Sequence, residues 1–349
     1  MRVLSVAYPL APVGPDAVGG AEQVLSSLDK ALVDGGHESI VVAREDSLIY
    51  GRLVPVTRRH GVLDDAAKAS AQDECKERID WAVEMYRPDV VHMHGVDFFK
   101  YFPEPGVDVL VTLHLPLSWY PTDALHPARP RTYLHCVSWS QHLSAPAGVR
   151  LMDQISNGVA LEASSSVVSK GRFVVALGRI CPEKNLHVAL EAARLADVPL
   201  FLGGQVFAFP EHRRYFEQEI APRLDSRRRF IGAVGFARKQ RLLSAARCLL
   251  LPTLAPETSS LVAMEALACG TPVVAFPSGA IPEIVEHGRT GFLVRSAEEM
   301  ADAIRRVGAL DPEECRRVAR ARFSLPRMVE SYLSAYRQIQ SAGRGAYVA

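Results

Sequence analysis

The sequence predicts an α/β protein of two domains, each built on a parallel sheet with helices on both faces. Three observations lead there. The chain has 349 residues, longer than one hydrophobic core usually grows, so two domains of roughly 150 residues each are expected. Short β-branched runs recur without polar alternation, the mark of strands buried on both faces. Helical stretches separate the runs, and that order makes the sheets parallel.

In order, the runs are Val3 to Ala7, Ser39 to Ala43, Val90 to His92 and Val109 to Leu113, then Phe173 to Leu177, Leu200 to Leu202, Arg229 to Ile231, Cys248 to Leu251 and Val273 to Phe276. The opening run reads as a first buried strand rather than a signal segment, because Pro9 and Pro12 interrupt it. Between the two groups, Ala145 to Lys170 carries Pro146, Gly148, Gly158 and the run Ser164-Ser165-Ser166, a linker composition. The crossing is placed near Ser156-Asn157-Gly158, giving domains over 1–155 and 156–326. Met328, Val329, Tyr332, Leu333, Tyr336 and Ile339 recur at helical intervals. A last helix over about 327–349 is therefore expected to return to the first domain.

Composition is ordinary for a globular chain, 48% hydrophobic and 23% charged. No stretch reaches the roughly 18 apolar residues of a membrane span. Six cysteines, Cys75, Cys136, Cys181, Cys248, Cys269 and Cys315, form no CxxC pair and suit buried thiols in a reducing compartment. A cytoplasmic location is expected. Arg outnumbers Lys 33 to 7 at a net charge of only +1, which reflects codon usage rather than nucleic-acid binding. Residues 1–155 hold 14 Lys and Arg against 20 Asp and Glu, net −6; residues 156–349 hold 26 against 19, net +7. A basic second half suits an anionic ligand, and an acidic first half disfavours anionic lipid.

The most informative segment is Pro256 to Pro272, which sets Glu257 and Glu265 eight positions apart across a loop-to-helix junction. Ser259 or Ser260 supplies an N-cap oxygen, Gly270 a C′ stop, and Thr271-Pro272 ends the helix. Glu265 has apolar neighbours on both sides, so its carboxylate needs a partner, and a polyol is one candidate. Free N–H groups at the same helix start suit an anion. Sugar hydroxyls and phosphate together point to a sugar nucleotide. A second segment, Phe173 to Asn185, ends a strand at Gly178 and carries Arg179 and Lys184 before a helix. Ligands of parallel sheets sit at strand carboxyl ends, and both cations suit phosphoryl oxygens. The competing reading pairs Arg179 with Glu183 and leaves Lys184 solvated.

In the first half, Gly19-Gly20 precedes a helix and allows close backbone approach to a ligand, though a plain loop explains it equally. His92 and His94 share a face, but no third ligand stands at a recognised metal spacing, so core histidines are expected. His114 closes another strand and is the better candidate to touch substrate. The chain lacks G-x-G-x-x-G after the first strand, G-x-x-x-x-G-K-[ST] and any Asp-x-Asp pair. No metal is therefore expected to hold a diphosphate. Arg223, Arg227, Arg228, Arg229, Arg238, Lys239 and Arg241 read as a solvated surface with no aromatic interleaving for nucleic acid.

These pieces, in this order, resemble the retaining glycosyltransferases of family 4, which have the GT-B architecture of two facing Rossmann-like domains and an interdomain cleft. The carriers are Gly19-Gly20-Ala21-Glu22, His92-Met93-His94-Gly95, Thr112-Leu113-His114, Asn157-Gly158-Val159, Gly178-Arg179 with Glu183-Lys184, Glu257 with Glu265 through Val274, and Pro282 to Val285 with Thr290 to Val294. The resemblance implies that Glu265 binds the ribose hydroxyls, Glu257 the donor sugar, and Arg179 and Lys184 the diphosphate. It further implies phosphate contacts from Gly19, Gly20 and the amides of Ser260 and Leu261, with His114 close to the sugar. His114, Glu257, Arg179 and Lys184 become the catalytic set. Ser259-Ser260 stands where the family often has Phe-Gly, and Asn185 where it often has Gly, a change that still caps a helix. Only 23 residues separate His114 from Ser138, a short first domain with an open acceptor side.

The activity so implied is retaining transfer of a hexose or pentose from a nucleoside diphosphate sugar, UDP- or GDP-linked, without cofactor or metal. The acceptor expected is a soluble glycan or secondary metabolite, as in antibiotic biosynthesis. The alternatives are a sugar-nucleotide epimerase of the same fold and a non-catalytic nucleotide-sugar-binding subunit.

Overall fold

The structure, a computed structural model, describes residues 1–61, 63–161 and 170–345. The serine run at Ser164-Ser165-Ser166 lies outside them. The chain divides into two compact units, 1–157 with 326–349, and 158–325. Both sheets are six-stranded and parallel throughout, as the unbroken apolar runs required.

The first unit runs β1 (Arg2–Val6), α1 (Gly20–Asp34), β2 (Glu38–Arg44), β3 (Arg52–Val56), α2 (Asp65–Tyr86), β4 (Val90–Met93), β5 (Val109–Leu113), α3 (Thr122–Leu125), β6 (Thr132–Cys136) and α4 (Trp139–Leu143). Its strand order is β3-β2-β1-β4-β5-β6, with Leu4 level with Ile40 on one side and Val91 on the other. α1 turns Val24, Leu25, Leu28 and Leu32 inward at helical spacing. Asp64 caps α2 by accepting from the Ala67 N–H, and Arg87 ends it in the left-handed region just before Pro88.

The second unit runs β7 (Val174–Leu177), α5 (Leu186–Leu195), β8 (Leu200–Gly203), α6 (Pro210–Tyr215), β9 (Arg228–Phe230), α7 (Phe236–Ala245), β10 (Leu249–Leu251), α8 (Leu261–Ala268), β11 (Val273–Ala275), α9 (Ile281–Ile284), β12 (Gly291–Leu293), α10 (Ala297–Arg306) and α11 (Pro312–Arg322). Its order is β12-β11-β10-β7-β8-β9. In each sheet the chain starts in the middle, winds outward through three strands, then returns beside its first strand and winds the other way. Each sheet therefore has a switch point, between β1 and β4 and between β7 and β10, where adjacent loops part and leave a crevice. Gly270, at φ +70, stops α8 as its position predicts.

The last helix, α12 (Leu325–Gly345), contributes Met328, Tyr332, Tyr336 and Ile339 to the core. Tyr332 and Tyr336 reach a wholly buried polar network that includes His92, Thr112 and His135. One carbonyl sets the hydrogen-bond directions at its centre. His135 Nδ1 faces the Cys136 carbonyl at 3.0 Å and must donate, so Nε2 accepts the Thr112 hydroxyl proton at 2.7 Å. Thr112 Oγ1 is then the acceptor for His92 Nε2–H at 2.7 Å, which leaves the single lone pair of His92 Nδ1 to accept from the Tyr336 hydroxyl at 2.7 Å. His94 Nε2 lies 3.2 Å from His92 Nδ1, and His94 Nδ1 3.2 Å from His114 Nε2. His92 and His94 are core histidines, as expected, with their ring nitrogens facing these partners.

Burial holds these imidazoles neutral: His92 and His94 lie well below the usual range, with the neighbouring imidazoles adding to the effect, and burial holds His135 down to about 4. The unfolded chain, with histidines near 6.5, binds the extra protons first as pH falls. Stability from this network is complete above about pH 6.5 and declines toward pH 4, by about 1.4 kcal/mol per pH unit for each histidine. Urea midpoints measured at pH 7.5, 6 and 5 should fall progressively, and a midpoint that does not move between 7.5 and 5 would contradict the neutral network.

Candidate active site

Beyond β7, Gly178 and Arg179 lead into a tight turn over Pro182–Lys184, closed by Asn185 at φ 54 before α5. Asn185 makes no side-chain cap hydrogen bond. It serves instead by tolerating the left-handed conformation, which corrects the capping role expected of it and explains why glycine suits the position. The neighbouring strand backs the loop closely: a Cβ on Gly204 would lie 1.8 Å from the Gly178 carbonyl oxygen.

The β10 loop is stitched to this turn. Leu254 N–H donates to the Glu183 carbonyl at 2.9 Å, and Thr253 Oγ1 to the same oxygen at 3.3 Å. Lys184 Nζ pairs with Glu257 Oε1, so the solvated Lys184 of the competing reading is not what the fold produces. Arg179 is exposed and forms no ion pair with Glu183 or any other described carboxylate. From the third loop, Ala280 N–H donates to the Glu257 carbonyl at 2.7 Å. Gly279, at φ +55, lies so close that a Cβ would meet Glu257 O at 2.2 Å. Loops after β7, β10 and β11 thus hold Glu257 together at the switch point.

Ser260 and Leu261 stand at the start of α8. Ser260 occupies the N-cap position with no side-chain cap bond, and Ser259 Oγ is buried without a partner. This corrects the expectation that one of these hydroxyls caps the helix. The Ala263 N–H donates to the Ser260 carbonyl at 3.1 Å, which leaves the Leu261 and Val262 N–H groups, for which helix geometry provides no acceptor, to other oxygens.

Glu265 is 5% exposed and has the partner its apolar neighbours demanded: Lys239 Nζ, 2.6 Å from Oε1. Its other oxygen, Oε2, is buried without a hydrogen bond. Burial raises its pKa, and Lys239 offsets part of that rise. Lys239 does not belong to a solvated basic surface, as its run of arginines implied; Arg227 does, pairing with Asp197, whereas Arg228 is largely covered beside Asp225. A signal was available, since Leu243, the buried residue of α7, lies four positions on and shares the face of Lys239. Gly279 and Gly204 were missed because close backbone approach leaves no periodic trace in sequence.

In the first unit, Gly19 is the N-cap residue of α1 and Gly20 its first residue. What approaches Gly19 is the chain's own Glu22, whose Oε2 would lie 1.8 Å from a Cβ there. That carboxylate is 8% exposed, and burial raises its pKa. His114, half-buried after β5, ends the histidine series; burial and then His135 push it down to about 3. Gly19, Gly20 and His114 thus stand at the carboxyl edge of the first sheet, and Arg179, Lys184, Glu257, Ser260, Leu261 and Glu265 at or beyond that of the second.

Two doubly wound sheets, each with charged or hydrogen-bonding groups around its switch point, define a protein of the doubly wound α/β class. Residues 171–309 match the family model described as Glycosyl transferases group 1, and this part of the chain is such a domain. D-inositol 3-phosphate glycosyltransferase of Mycolicibacterium gilvum is 34% identical over 175 residues, 47% of this chain and 39% of that protein. Its Mycobacterium bovis counterpart is 35% identical over 140 residues, 38% of this chain and 28% of that one. The chain thus aligns with well under half the length of these relatives. AviGT4, a glycosyltransferase involved in avilamycin A biosynthesis, superposes with a TM-score of 0.75 at 23% identity, over 97% of this chain and 98% of that one. Sucrose-phosphate synthase of Thermosynechococcus elongatus gives 0.77 at 20%, over 98% and 100%. HepE of Anabaena, in complex with UDP-glucose, gives 0.74 at 19%, over 97% and 100%. The fold is GT-B, and the resemblance read from the sequence is borne out as a glycosyltransferase group 1 domain on that fold.

Replacing Lys239 with Met strands the Glu265 carboxylate. A cost of about 3–5 kcal/mol is expected at pH 8 in urea unfolding. Without the lysine, the folded pKa of Glu265 lies further above its unfolded value, so the deficit relative to wild type should shrink as pH falls and the carboxyl protonates. A deficit that is constant from pH 8 to 5 would show that the lysine acts through packing alone.

Proposed function

We propose that the protein is a retaining glycosyltransferase that moves a sugar from a nucleoside diphosphate donor to an acceptor hydroxyl without a metal ion. The observation that carries this reading is the second unit's switch point. There an exposed Arg179, the Lys184–Glu257 pair, the start of α8 and the unfilled Glu265 Oε2 occupy one edge of a glycosyltransferase domain. Each matches one part of a sugar nucleotide. Glu265 Oε2 is an acceptor for a ribose hydroxyl, and occupation would remove its buried, unpaired state. Arg179, Lys184 and the α8 amides suit the diphosphate, and Glu257 the sugar hydroxyls.

Catalysis then lies in stabilising the leaving diphosphate. Its charge grows as the glycosidic bond lengthens, and preorganised donors act most strongly at that stage. Charge-assisted hydrogen bonds of this kind contribute about 1.5–3 kcal/mol each. The departing phosphate oxygen takes the acceptor proton on the same face, so no side-chain nucleophile is needed and the anomeric configuration is kept. HepE, whose complex contains UDP-glucose, supports a uridine donor. AviGT4 supports a secondary-metabolite acceptor, taken up by the first unit.

Incubation with UDP-sugars and candidate acceptors, with the product anomer read by NMR, tests the reading, and an inverted product overturns it. In that assay Arg179→Ala should lower turnover on the order of 10²–10³-fold, as loss of one preorganised donor does elsewhere. Near-wild-type kinetics in the folded variant would remove Arg179 from the mechanism. Turnover should be the same with and without added Mg²⁺, whereas a strict Mg²⁺ requirement would contradict metal-free departure.

A further inference from the structure

We propose that Cys181, Glu183 and His212 form a zinc site that braces the Arg179–Lys184 loop onto α6. Among the described residues, this is the one group of three or more His, Cys, Asp and Glu side chains whose ligand atoms lie within 4.8 Å of one another. Sequence reading had assigned no metal site. The Cys-x-Glu pair and a histidine on another element match no recognised metal spacing, so only the fold brings them together.

The second observation is His212 itself. It is 5% exposed, with Phe207 and Phe209 against its ring, and its Nδ1 is buried with no hydrogen-bond partner. A buried ring nitrogen left so costs about 1–3 kcal/mol unless something fills it. The network histidines of the first unit, His92, His94 and His135, are different, because each of their ring nitrogens faces a hydrogen-bonding partner; His142 shares an unpartnered Nδ1 but belongs to no such group among the described residues. Cys181 is buried as well, and its thiol lies within hydrogen-bonding reach of the Glu183 carboxylate, with the Arg179 carbonyl a weaker acceptor at 3.7 Å.

The donor set selects the metal. A thiolate, an imidazole and a carboxylate are the ligands of a borderline ion such as Zn²⁺, whereas Mg²⁺ and Ca²⁺ take oxygen ligands. Two anionic ligands balance the ion's charge, and the thiol proton leaves to solvent as the Sγ–Zn bond forms. Tetrahedral bonds of about 2.0–2.3 Å place ligand atoms about 3.3–3.8 Å apart, so a pair at the 4.8 Å limit closes by about 1 Å. Glu183, exposed and already the acceptor of the Cys181 thiol, supplies that movement once the thiol proton has left, and a fourth position stays open to water. None of the three ligands is Arg179, Lys184, Glu257 or Glu265. Zinc here is separate from the transfer chemistry, and the site stands whether or not the glycosyltransferase reading holds.

The test uses the full chain, stripped of metal and titrated with Zn²⁺ or Co²⁺. Equilibrium dialysis should give one zinc per chain, and cobalt should produce the near-ultraviolet absorption of a thiolate-to-metal charge transfer. Cys181→Ser should abolish that band, and His212→Gln should weaken zinc at least about 10-fold, with circular dichroism confirming that both variants fold. In wild type, zinc should also slow alkylation of Cys181, located by mass spectrometry, which requires no variant. The proposal is overturned if cobalt gives no thiolate band, if the band survives in Cys181→Ser, or if zinc leaves Cys181 alkylation unchanged.

Discussion

The carboxylate of Glu265, buried under α8, is the constraint around which the second unit's functional edge is arranged. An ionised group there is tolerated only because Lys239 reaches it from α7 at 2.6 Å. Lys184 and Glu257 repeat the solution one loop away, between the strands where the sheet changes direction. The first pair is incomplete, because Glu265 Oε2 has no hydrogen-bond partner, and the Leu261 and Val262 N–H groups at the start of α8 have no intrahelical acceptor. Polar groups buried at this cost, yet not fully satisfied, are characteristic of a surface that completes itself with a ligand.

The first unit solves a different problem with the same topology. Its buried histidines His92, His94, His114 and His135 are held neutral and lie beside one another or beside Thr112, which accepts from His92 and donates to His135. Two tyrosines of α12 join the network, so the final helix is bound by polar as well as apolar contacts. The Cys136 carbonyl fixes the tautomer of His135 and, through Thr112, that of His92 on another strand. Near Gly19, the carboxylate of Glu22 occupies the space a side chain would need, so the glycine is required by the protein's own packing.

The strands and residues that sequence reading missed have physical reasons in common. β3, β6 and β12 are all edge strands. Pro55 interrupts β3, polar residues dilute β6, and β12 is three residues long, so none presents the apolar run that revealed the central strands. Lys239 was hidden among arginines, and nothing local distinguishes a lysine that enters the protein from one that leaves it. Asn185 and Ser260 were placed correctly at helix starts, but their side chains do not perform the capping that their types favour.

By itself, the sequence determined the α/β class, the parallel sheets, the helix stop at Gly270 and the two segments that carry the charged site. All of these follow from local periodicity and turn chemistry, which act over a few residues. Only the tertiary structure decided which charges meet: Lys184 with Glu257, Lys239 with Glu265, His212 with Cys181 and Glu183. These partners are separated by about 30 to 70 positions along the chain, and their pairing is governed by burial. A carboxylate or imidazole removed from water must take whatever donor, cation or metal the fold carries to it, and no local pattern records which one that is.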